Sequence, residues 1–426
     1  MKILFVSDSL AIQTGLNYVT TSIMLQIKKL IKDAEIGYAN ILGPNIEFLS
    51  SELHGMEFCK VFEKFKIYNC QIKDPNTYKN FDDAVESFKP DVVFTVSDPW
   101  NLENVAFSKF RDSYKWLCYV PIEVPVYPEY VLFPSNFNTS LRKSIKNIME
   151  NADMLIPVTP MGKGALERLN LTSEDYIYHG TDTSAIFSGK YKKSEIFTSI
   201  VNEDNFIFMT MGENSERKRI DKVIESFALF IKNIENPDRY KLYLHTNMNK
   251  VEGPDIVNQL LEYKLERYIL APSCFAENKI LRKEDLFKRY AVSDCYVSLP
   301  AGEGFGYGLC ESMLQGIPCI YTNYGGPTTY LDETCGIPIP YSATYLAKNA
   351  NIKWVIADVE KAAEAMTKIA VMPKEDRLKM GRAGQNRALK LFDWNIIGRK
   401  FSDKVLELQE KEKKGYNFSF LIEKHI

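Results

Sequence analysis

A glycine-rich block that contains two carboxylates is the strongest candidate for chemistry in this sequence. Within residues 300–311 a glycine stands at every second position from 302 to 308. Because glycine has no side chain, backbone N–H groups in such a turn can approach an anion, and the N-terminus of a following helix attracts a diphosphate. Glu303 and Glu311 could each accept two hydrogen bonds from a vicinal diol. The block therefore predicts a site for a phosphorylated sugar or a nucleotide, although Glu311 could instead cap the helix dipole.

A second candidate is a basic turn within residues 212–221, between a predicted strand and a predicted helix. Arg217 and Lys218 are adjacent in this turn. At the carboxyl edge of a sheet, their charges would neutralise a phosphate through charge-assisted hydrogen bonds. The alternative interpretation is an exposed basic turn at the start of a helix.

Short apolar runs alternate with amphipathic stretches along the chain, and the alternation restarts near residue 205. Continuous apolar runs are typical of parallel strands covered on both faces, and the stretches between them have helical periodicity. The pattern predicts an α/β protein with two doubly wound domains, which bind ligands at the carboxyl ends of their strands. The charged segment 188–204 is predicted to be the linker. The predicted strands lie at 3–6, 91–96, 116–120, 154–158, 205–212, 240–245, 294–299 and 317–321.

Length and composition define the class of protein. The 426 residues are 45% hydrophobic and 25% charged, which predicts two or three soluble globular domains. The net charge of −2 offers no basic footprint for nucleic acid. The eight cysteines stand singly and there are four histidines, so the sequence predicts no metal site and reduced, buried thiols. Since it has no signal-peptide pattern and no apolar run of membrane-spanning length, we expect a cytoplasmic protein; peripheral membrane contact and oligomeric state stay open.

The glycine block resembles the Glu-x7-Glu motif of the retaining glycosyltransferases of family 4, which have the two-domain GT-B architecture. The family's Glu-Gly-Phe-Gly run is matched at residues 303–306, and Ser312, Gly316 and Pro318 follow in register. Upstream the match is looser, because a leucine and a proline stand at 299 and 300 where the family more often has Pro-Ser.

Three further runs carry the same resemblance. The basic turn is similar to an Asn-x-x-Arg-Lys variant of the family, with its asparagine at Asn214. Residues 178–187 resemble the His-Gly-Val-Asp-x4-Phe run that closes the family's first domain, and His179 is interpreted as architectural. Residues 392–394 resemble the tryptophan-containing run before the family's last helix.

The resemblance implies an architecture of two Rossmann-like domains facing a cleft. Residues 1–188 would form the acceptor side, completed by a C-terminal helix at about 402–426 that crosses back, and residues 189–401 the donor side. Gly15 lies in the first strand-to-helix loop, where the family lets the donor phosphate approach. Asp98 stands at a strand end where many members carry His, and is the candidate for contact with the transferred sugar. Glu123 would line the acceptor side or make a structural hydrogen bond.

The resemblance also implies a reaction, the metal-independent transfer of a hexose from a nucleoside diphosphate sugar to an acceptor hydroxyl, with retention at the anomeric carbon. Arg217, Lys218 and the backbone of 304–306 would hold the diphosphate, Glu303 the sugar and Glu311 the ribose. The departing phosphate would take the acceptor's proton on the same face. The catalytic candidates are Glu303, Arg217, Lys218 and Asp98. The donor-binding candidates are Gly15, Gly212, Asn214, Arg217, Lys218, Asn247, Ser273, Cys274, Phe275, Glu303, Gly304, Phe305, Gly306, Tyr307, Gly308 and Glu311.

The absence of several sequence motifs argues against some classes of enzyme, but several functions stay open. The sequence has no Asp-x-Asp, no P-loop, no Gly-x-Gly-x-x-Gly and no Gly-x-Ser-x-Gly. A loose resemblance of 119–123 and 214–221 to mannosyltransferases favours GDP-mannose over a UDP-hexose. The acceptor would be a glycan, a lipid-linked sugar or a protein-linked sugar. The alternatives are a UDP-sugar-dependent transferase, another GT-B enzyme such as a phosphorylase or an epimerase, and a non-catalytic nucleotide-sugar binding protein.

Overall fold

The computed structural model describes eleven ranges of the chain, within which the helices and strands below are defined. These ranges are 1–11, 14–43, 62–63, 65–70, 81–128, 130–133, 141–197, 201–249, 253–272, 281–347 and 352–412. The described chain separates into two compact units. One comprises the described residues of 1–180, residue 352 and the described residues from 394 onward, and the other comprises the described residues of 181–347 and 353–393.

The first unit is built on a six-stranded sheet in which every neighbouring pair is parallel, in the order β3-β2-β1-β4-β5-β8. A separate antiparallel pair is formed by β6 and β7. The strands are β1 Lys2–Asp8, β2 Glu35–Leu42, β3 Lys66–Asn69, β4 Val92–Val96, β5 Lys115–Val120, β6 Tyr130–Phe133, β7 Leu141–Ser144 and β8 Met154–Pro157. The helices are α1 Gly15–Leu30, α2 Phe81–Phe88, α3 Glu103–Ala106, α4 Ile145–Glu150 and α5 Pro160–Arg168.

The second unit repeats this plan, with a six-stranded parallel sheet in the order β11-β10-β9-β12-β13-β14. An antiparallel pair, β15 and β16, lies outside the sheet. The strands are β9 Phe206–Met211, β10 Tyr240–His245, β11 Ile269–Leu270, β12 Cys295–Ser298, β13 Cys319–Thr322, β14 Gly336–Ile339, β15 Tyr341–Leu346 and β16 Lys353–Ala357. The helices are α6 Lys193–Phe197, α7 Ile220–Asn233, α8 Ile256–Glu262, α9 Lys283–Val292, α10 Tyr307–Leu314, α11 Val359–Val371 and α12 Lys374–Leu391.

Burial explains why these runs form strands and helices. Residues Ile3 to Val6 of β1 are fully buried, as expected for a central parallel strand. In α7, buried side chains recur at helical spacing, and Phe230 packs on Phe208 of β9 with ring centroids 5.2 Å apart. The predicted α/β class with two doubly wound domains is confirmed, since both sheets have the strand order of a Rossmann fold.

The chain ends its described part with a long helix that belongs to the first unit. This helix, α13, spans Trp394–Glu410, and the rest of the predicted C-terminal segment, 413–426, lies outside the described residues. Trp394 Nε1 donates a hydrogen bond to Tyr18 Oη of α1 at 3.1 Å, and Phe401 packs on Tyr119 of β5. Lys404 Nζ forms an ion pair with Glu174 at 2.7 Å.

The predicted linker at 188–204 is wrong in part, because it contains α6, which is attached to the second unit. Lys193 Nζ, at the start of this helix, pairs with Asp294 Oδ2 at 2.6 Å and donates to the carbonyl of Asn205. The charged composition suggested a solvent-exposed linker, but these charged side chains hold the segment against the starts of β12 and β9.

Candidate active site

The two motifs meet at one point of the second sheet. Strands β9 and β12 are hydrogen-bonded neighbours at the middle of the sheet. From β9 the chain adds β10 and β11 on one side, and it then crosses over to add β12, β13 and β14 on the other side. Such a switch point leaves a crevice at the carboxyl ends of the strands. The basic turn follows β9 and the glycine block follows β12, so strand order alone brings both to this crevice.

Glu303 joins the two loops. Lys218 Nζ donates to Glu303 Oε2 in a short contact, and Arg217 Nη1 lies 3.4 Å from the same oxygen. Arg217 Nη1 also donates to the carbonyl of Gly302 at 3.2 Å, and the Ala301 amide donates to the carbonyl of Arg217 at 2.8 Å. Three residues predicted from two motifs therefore form one cluster.

Two opposing effects act on the Glu303 carboxyl. The group is only 8% exposed, and burial opposes its ionisation. The nearby charges of Lys218 and Arg217, with their hydrogen bonds, outweigh burial and lower its pKa below the ordinary value. Glu303 is therefore anionic at neutral pH. With its two cations the cluster carries one net positive charge, which suits a phosphate ligand.

Gly306 gives the glycine block its bend. Its φ of +87° lies in the left-handed region, where glycine is unstrained, and it forms the N-cap of α10. Tyr330 Oη donates to the carbonyl of Phe305 in a short contact, and the Phe305 ring packs on Phe392 and Tyr330 with centroids 5.2 and 5.5 Å away. The Phe305 side chain thus anchors the loop, and Tyr307 packs against it.

Gly308 leaves room for a tyrosine side chain. A methyl group at position 308 would lie 1.9 Å from Tyr296 Oη. This hydroxyl donates to the carbonyl of Met211 at 3.2 Å, at the end of β9. Tyr296 therefore connects the base of α10 to the strand that precedes the basic turn, and the absence of a side chain at 308 permits that link.

Glu311 differs from Glu303 in its surroundings. It lies on α10, is 4% exposed, and its Oε1 lies 3.5 Å from Lys283 Nζ of α9. Its Oε2 is buried and accepts no hydrogen bond from any described residue. Burial raises the pKa of Glu311 more than the Lys283 ammonium and, to a smaller extent, the Tyr290 hydroxyl lower it. An acceptor of this kind suits a ligand that brings its own hydroxyl donors.

Three further donor-side candidates that the structure describes follow strands β9 and β10 of the same sheet. Gly212 directly follows β9, and its amide donates to the carbonyl of His245 at 3.2 Å. Asn214 is fully buried and donates to the carbonyl of Pro254 at 2.9 Å, so it braces a neighbouring loop. Asn247 is exposed after β10, and its side chain accepts a hydrogen bond from the amide of Asn249. The candidates Ser273, Cys274 and Phe275 lie outside the described residues.

The first-unit candidates occupy the equivalent edge of the other sheet. Strands β1 and β4 pair at that switch point. Gly15 is exposed at the start of α1, and Thr14 caps this helix while its hydroxyl donates to the buried Asp8 at 3.2 Å. Burial raises the pKa of Asp8. Asp98 follows β4 and precedes a 3₁₀ turn at Pro99–Asn101.

An aromatic pair that the sequence did not single out stands beside Asp98. Tyr127 is 4% exposed, stacks on Trp100 with centroids 6.4 Å apart, and its buried hydroxyl makes no hydrogen bond with a described residue. Burial and then the charges of Asp98 and Glu123 raise its pKa well above the ordinary value. His179 is buried and its Nδ1 lies 2.7 Å from Tyr119 Oη, in keeping with the predicted architectural role.

Sequence reasoning missed the residues that support the glycine block. Lys283, Tyr296 and Tyr330 lie outside both motifs, and nothing in their local pattern distinguishes them from ordinary helix or core residues. Within the described ranges, no cluster of three or more histidine, cysteine or acidic residues is arranged to hold a metal ion. No described helix has the length and apolar character needed to cross a bilayer.

The sequence is similar to known glycosyltransferases. The family described as "Glycosyl transferases group 1" matches residues 192–387. The chain is 23% identical over 298 residues to alpha-1,3/1,6-mannosyltransferase ALG2 of Dictyostelium discoideum, an alignment that covers 66% of this chain. The chain spans 61% of the length of ALG2 and 66% of the length of another curated relative that it matches.

Solved structures share the fold over almost the whole chain. Sucrose-phosphate synthase from Thermosynechococcus elongatus is 18% identical with a TM-score of 0.70, covering 96% of this chain and 98% of its own. HepE from Anabaena, in complex with UDP-glucose, is 14% identical with a TM-score of 0.68, covering 96% of this chain and 100% of its own. The chain has the GT-B fold, and within it residues 192–387 match the family described as "Glycosyl transferases group 1".

Proposed function

We propose that this protein is a retaining glycosyltransferase of family 4 that moves a hexose from a nucleoside diphosphate sugar to an acceptor hydroxyl without a metal ion. The observation that carries the proposal is the cluster of Glu303 with Arg217 and Lys218. It places two fixed cations beside one carboxylate at the switch point of the donor-side sheet. The two cations would bind the diphosphate of the donor, and the carboxylate would accept hydrogen bonds from the hydroxyls of its sugar ring.

Each part of the donor has a proposed partner. Arg217, Lys218 and the backbone amides of 304–306 stabilise the charge that develops on the departing diphosphate. Glu303 accepts hydrogen bonds from the hydroxyls of the transferred sugar, and Glu311 accepts them from the ribose diol. The departing phosphate takes the acceptor's proton on the same face of the sugar, so configuration is retained.

The proposed division of labour follows the predicted domains. Residues 1–188, with the C-terminal segment at about 402–426, bind the acceptor, and residues 189–401 bind the donor. Asp98 contacts the transferred sugar from the acceptor side. The acceptor is a hydroxyl of a glycan, a lipid-linked sugar or a protein-linked sugar.

Two donor classes have support. The similarity to ALG2, a mannosyltransferase by name, favours GDP-mannose. The similarity to HepE, solved with UDP-glucose, favours a UDP-hexose. We retain GDP-mannose as the first choice, since the loose resemblance of residues 119–123 and 214–221 to mannosyltransferases favours the same donor. The proposed location is the cytoplasm, which the buried thiols of Cys118, Cys295 and Cys319 support because they are not paired in disulfides.

The test is incubation with GDP-mannose and, separately, UDP-glucose in EDTA, with a panel of neutral sugar acceptors. We expect release of the nucleoside diphosphate and a product whose anomeric proton shows the donor's configuration by NMR. A sugar 1-phosphate formed only on addition of inorganic phosphate would identify a phosphorylase instead. An isomerised donor would identify an epimerase.

A further inference from the structure

The two glutamates of the glycine block are paired with cations in different ways. Glu303 is held by Lys218 and Arg217, which come from one turn. Among the described residues, Glu311 has one ion pair, with Lys283 of α9 on the Oε1 side. Its side chain is 5% exposed, and its Oε2 stays buried without a hydrogen bond from a described residue. A charge in such a place depends strongly on its single described counterion.

The other ionisable groups around Glu311 do not supply positive charge. Tyr290 faces it from α9, Tyr296 from β12 and Cys310 from its own helix. Burial raises the pKa of all three above their ordinary values, so they are neutral at pH 7. Lys283 is the one cation among the described groups that face this carboxyl.

The position of Lys283 suits it to act as the counterion of Glu311. It is the first residue of α9, its side chain is 36% exposed, and its Nζ lies 5.3 Å from the centroid of the Phe287 ring. The amine thus stays in contact with water, which limits its own desolvation, while the aromatic ring one turn along the helix guides it toward Glu311.

We propose that Lys283 is a positioning residue for the nucleoside end of the donor, whose ammonium keeps Glu311 anionic so that both carboxylate oxygens can accept the ribose hydroxyls. The inference rests on the proposed function and deepens it, since it assigns a partner to the ribose-binding carboxylate. An anionic carboxylate is acceptor-only, whereas its protonated form becomes a donor at one oxygen and binds a diol less well.

The proposal has a signature in the pH dependence of nucleotide affinity. In the wild type, affinity falls as pH drops through the raised pKa of Glu311. Removal of the Lys283 charge raises that pKa further, so the loss of affinity begins at a higher pH. A residue that merely supported the fold would weaken binding equally at every pH.

The experiment is calorimetric titration of the full chain with UDP or GDP, whichever the wild type binds, and with the 2′-deoxy form of the same nucleotide. The variants are Lys283→Met, Lys283→Arg and Lys288→Met, the last removing a cation of the same helix that pairs with Glu284 and Asp285. We expect Lys283→Met to bind about tenfold more weakly than wild type near pH 6 and within about twofold near pH 9. Lys283→Arg and Lys288→Met should follow the wild-type profile.

The deoxynucleotide links the effect to the ribose. In the wild type near pH 6, loss of the 2′-hydroxyl should weaken binding about tenfold, and in Lys283→Met by only about twofold. Equal penalties in the two proteins, or a Lys283→Met curve parallel to that of the wild type, would overturn the assignment while the proposed function stands. A wild type that binds neither nucleotide would overturn both.

Discussion

Lys218 and Glu303 stand 85 residues apart in the chain, yet the ammonium of one contacts the carboxylate of the other. Their contact bridges the loops after β9 and β12, where strand order opens the sheet. Arg217, which precedes Lys218 in the chain, forms an ion pair with the same carboxylate. In the proposed reaction this carboxylate holds the two cations in place before the donor arrives, and the diphosphate then shares them.

Loss of both cations should abolish transfer without unfolding the chain. The variant Arg217→Ala/Lys218→Ala removes the charge that stabilises the departing diphosphate, and we expect kcat/KM to fall by at least about 100-fold. Lys222→Ala is the matched control, because Lys222 lies on the adjoining helix and pairs with Glu225. Full activity in the double variant, with an unchanged circular dichroism spectrum, would refute these roles.

Glu311→Gln should stabilise the empty protein and weaken nucleotide binding. Burial makes the ionised Glu311 unfavourable in the folded state, as its raised pKa shows, so the charge costs stability once pH rises above the ordinary carboxyl pKa. An isosteric neutral amide removes that cost but offers the ribose diol one acceptor fewer. Thermal unfolding near pH 7 should show a higher Tm, and titration should show affinity lower by about tenfold. A lower Tm would contradict the electrostatic account.

Glu303→Gln should have the opposite effect on stability. The pKa of Glu303 is lowered in the folded state, so its ion pairs stabilise the protein above the ordinary carboxyl pKa and are lost as pH falls through the lowered value. We expect a lower Tm than wild type near pH 7 and convergence of the two proteins in acid. Melting curves collected from neutral pH down to about pH 2 test this, because the lowered pKa lies below the ordinary carboxyl value. A constant difference in Tm over this whole range would exclude the linkage.

Gly308→Ala should destabilise the second unit. The added methyl group collides with Tyr296, which is fixed by its hydrogen bond to Met211, and overpacking of this kind typically costs about 1–3 kcal/mol. Gly164→Ala is the control, since position 164 lies in α5 with only the tip of Arg168 nearby at 3.8 Å. That change should be neutral or stabilising in urea unfolding. Equal stability of the two variants would show that position 308 has room.

Trp394→Ala should loosen α13 from the first unit. The side chain is 8% exposed, bonds to Tyr18 and packs against Gly180, where a methyl group would lie 2.4 Å from the indole. Truncation of a buried tryptophan typically costs about 3–5 kcal/mol. Ile396→Ala, at a position 44% exposed on the same helix, should change the free energy of unfolding little. Similar losses in both variants would argue against this anchoring.

The sequence predicted the elements better than the supporting contacts. Apolar runs such as β1 and β9 form central strands because burial on both faces demands continuous hydrophobicity, and that pattern is local. The meeting of Arg217, Lys218 and Glu303 was predicted through motifs, and strand order explains it. The contacts of Lys283 and Tyr296 depend on how α9 and β12 pack around α10, and no local pattern encodes such a distance.

Two other features depend on tertiary contacts in the same way. Segment 188–204 looked like a linker because it is charged, but its Lys193–Asp294 pair is a tertiary contact. Gly308 looked like part of a phosphate-binding turn, and it also makes room for Tyr296. A single glycine has several uses, and only the neighbouring side chains distinguish them.

The proposed reaction depends on a metal-free diphosphate site built from Arg217, Lys218 and the glycine block. Calorimetric titration of the wild-type chain with GDP, UDP and ADP, first in EDTA and then with magnesium, measures binding at this site. We expect that one nucleotide binds in EDTA, that magnesium adds little, and that Arg217→Ala/Lys218→Ala abolishes the binding. Binding that requires magnesium, or no binding of any of the three, would contradict it.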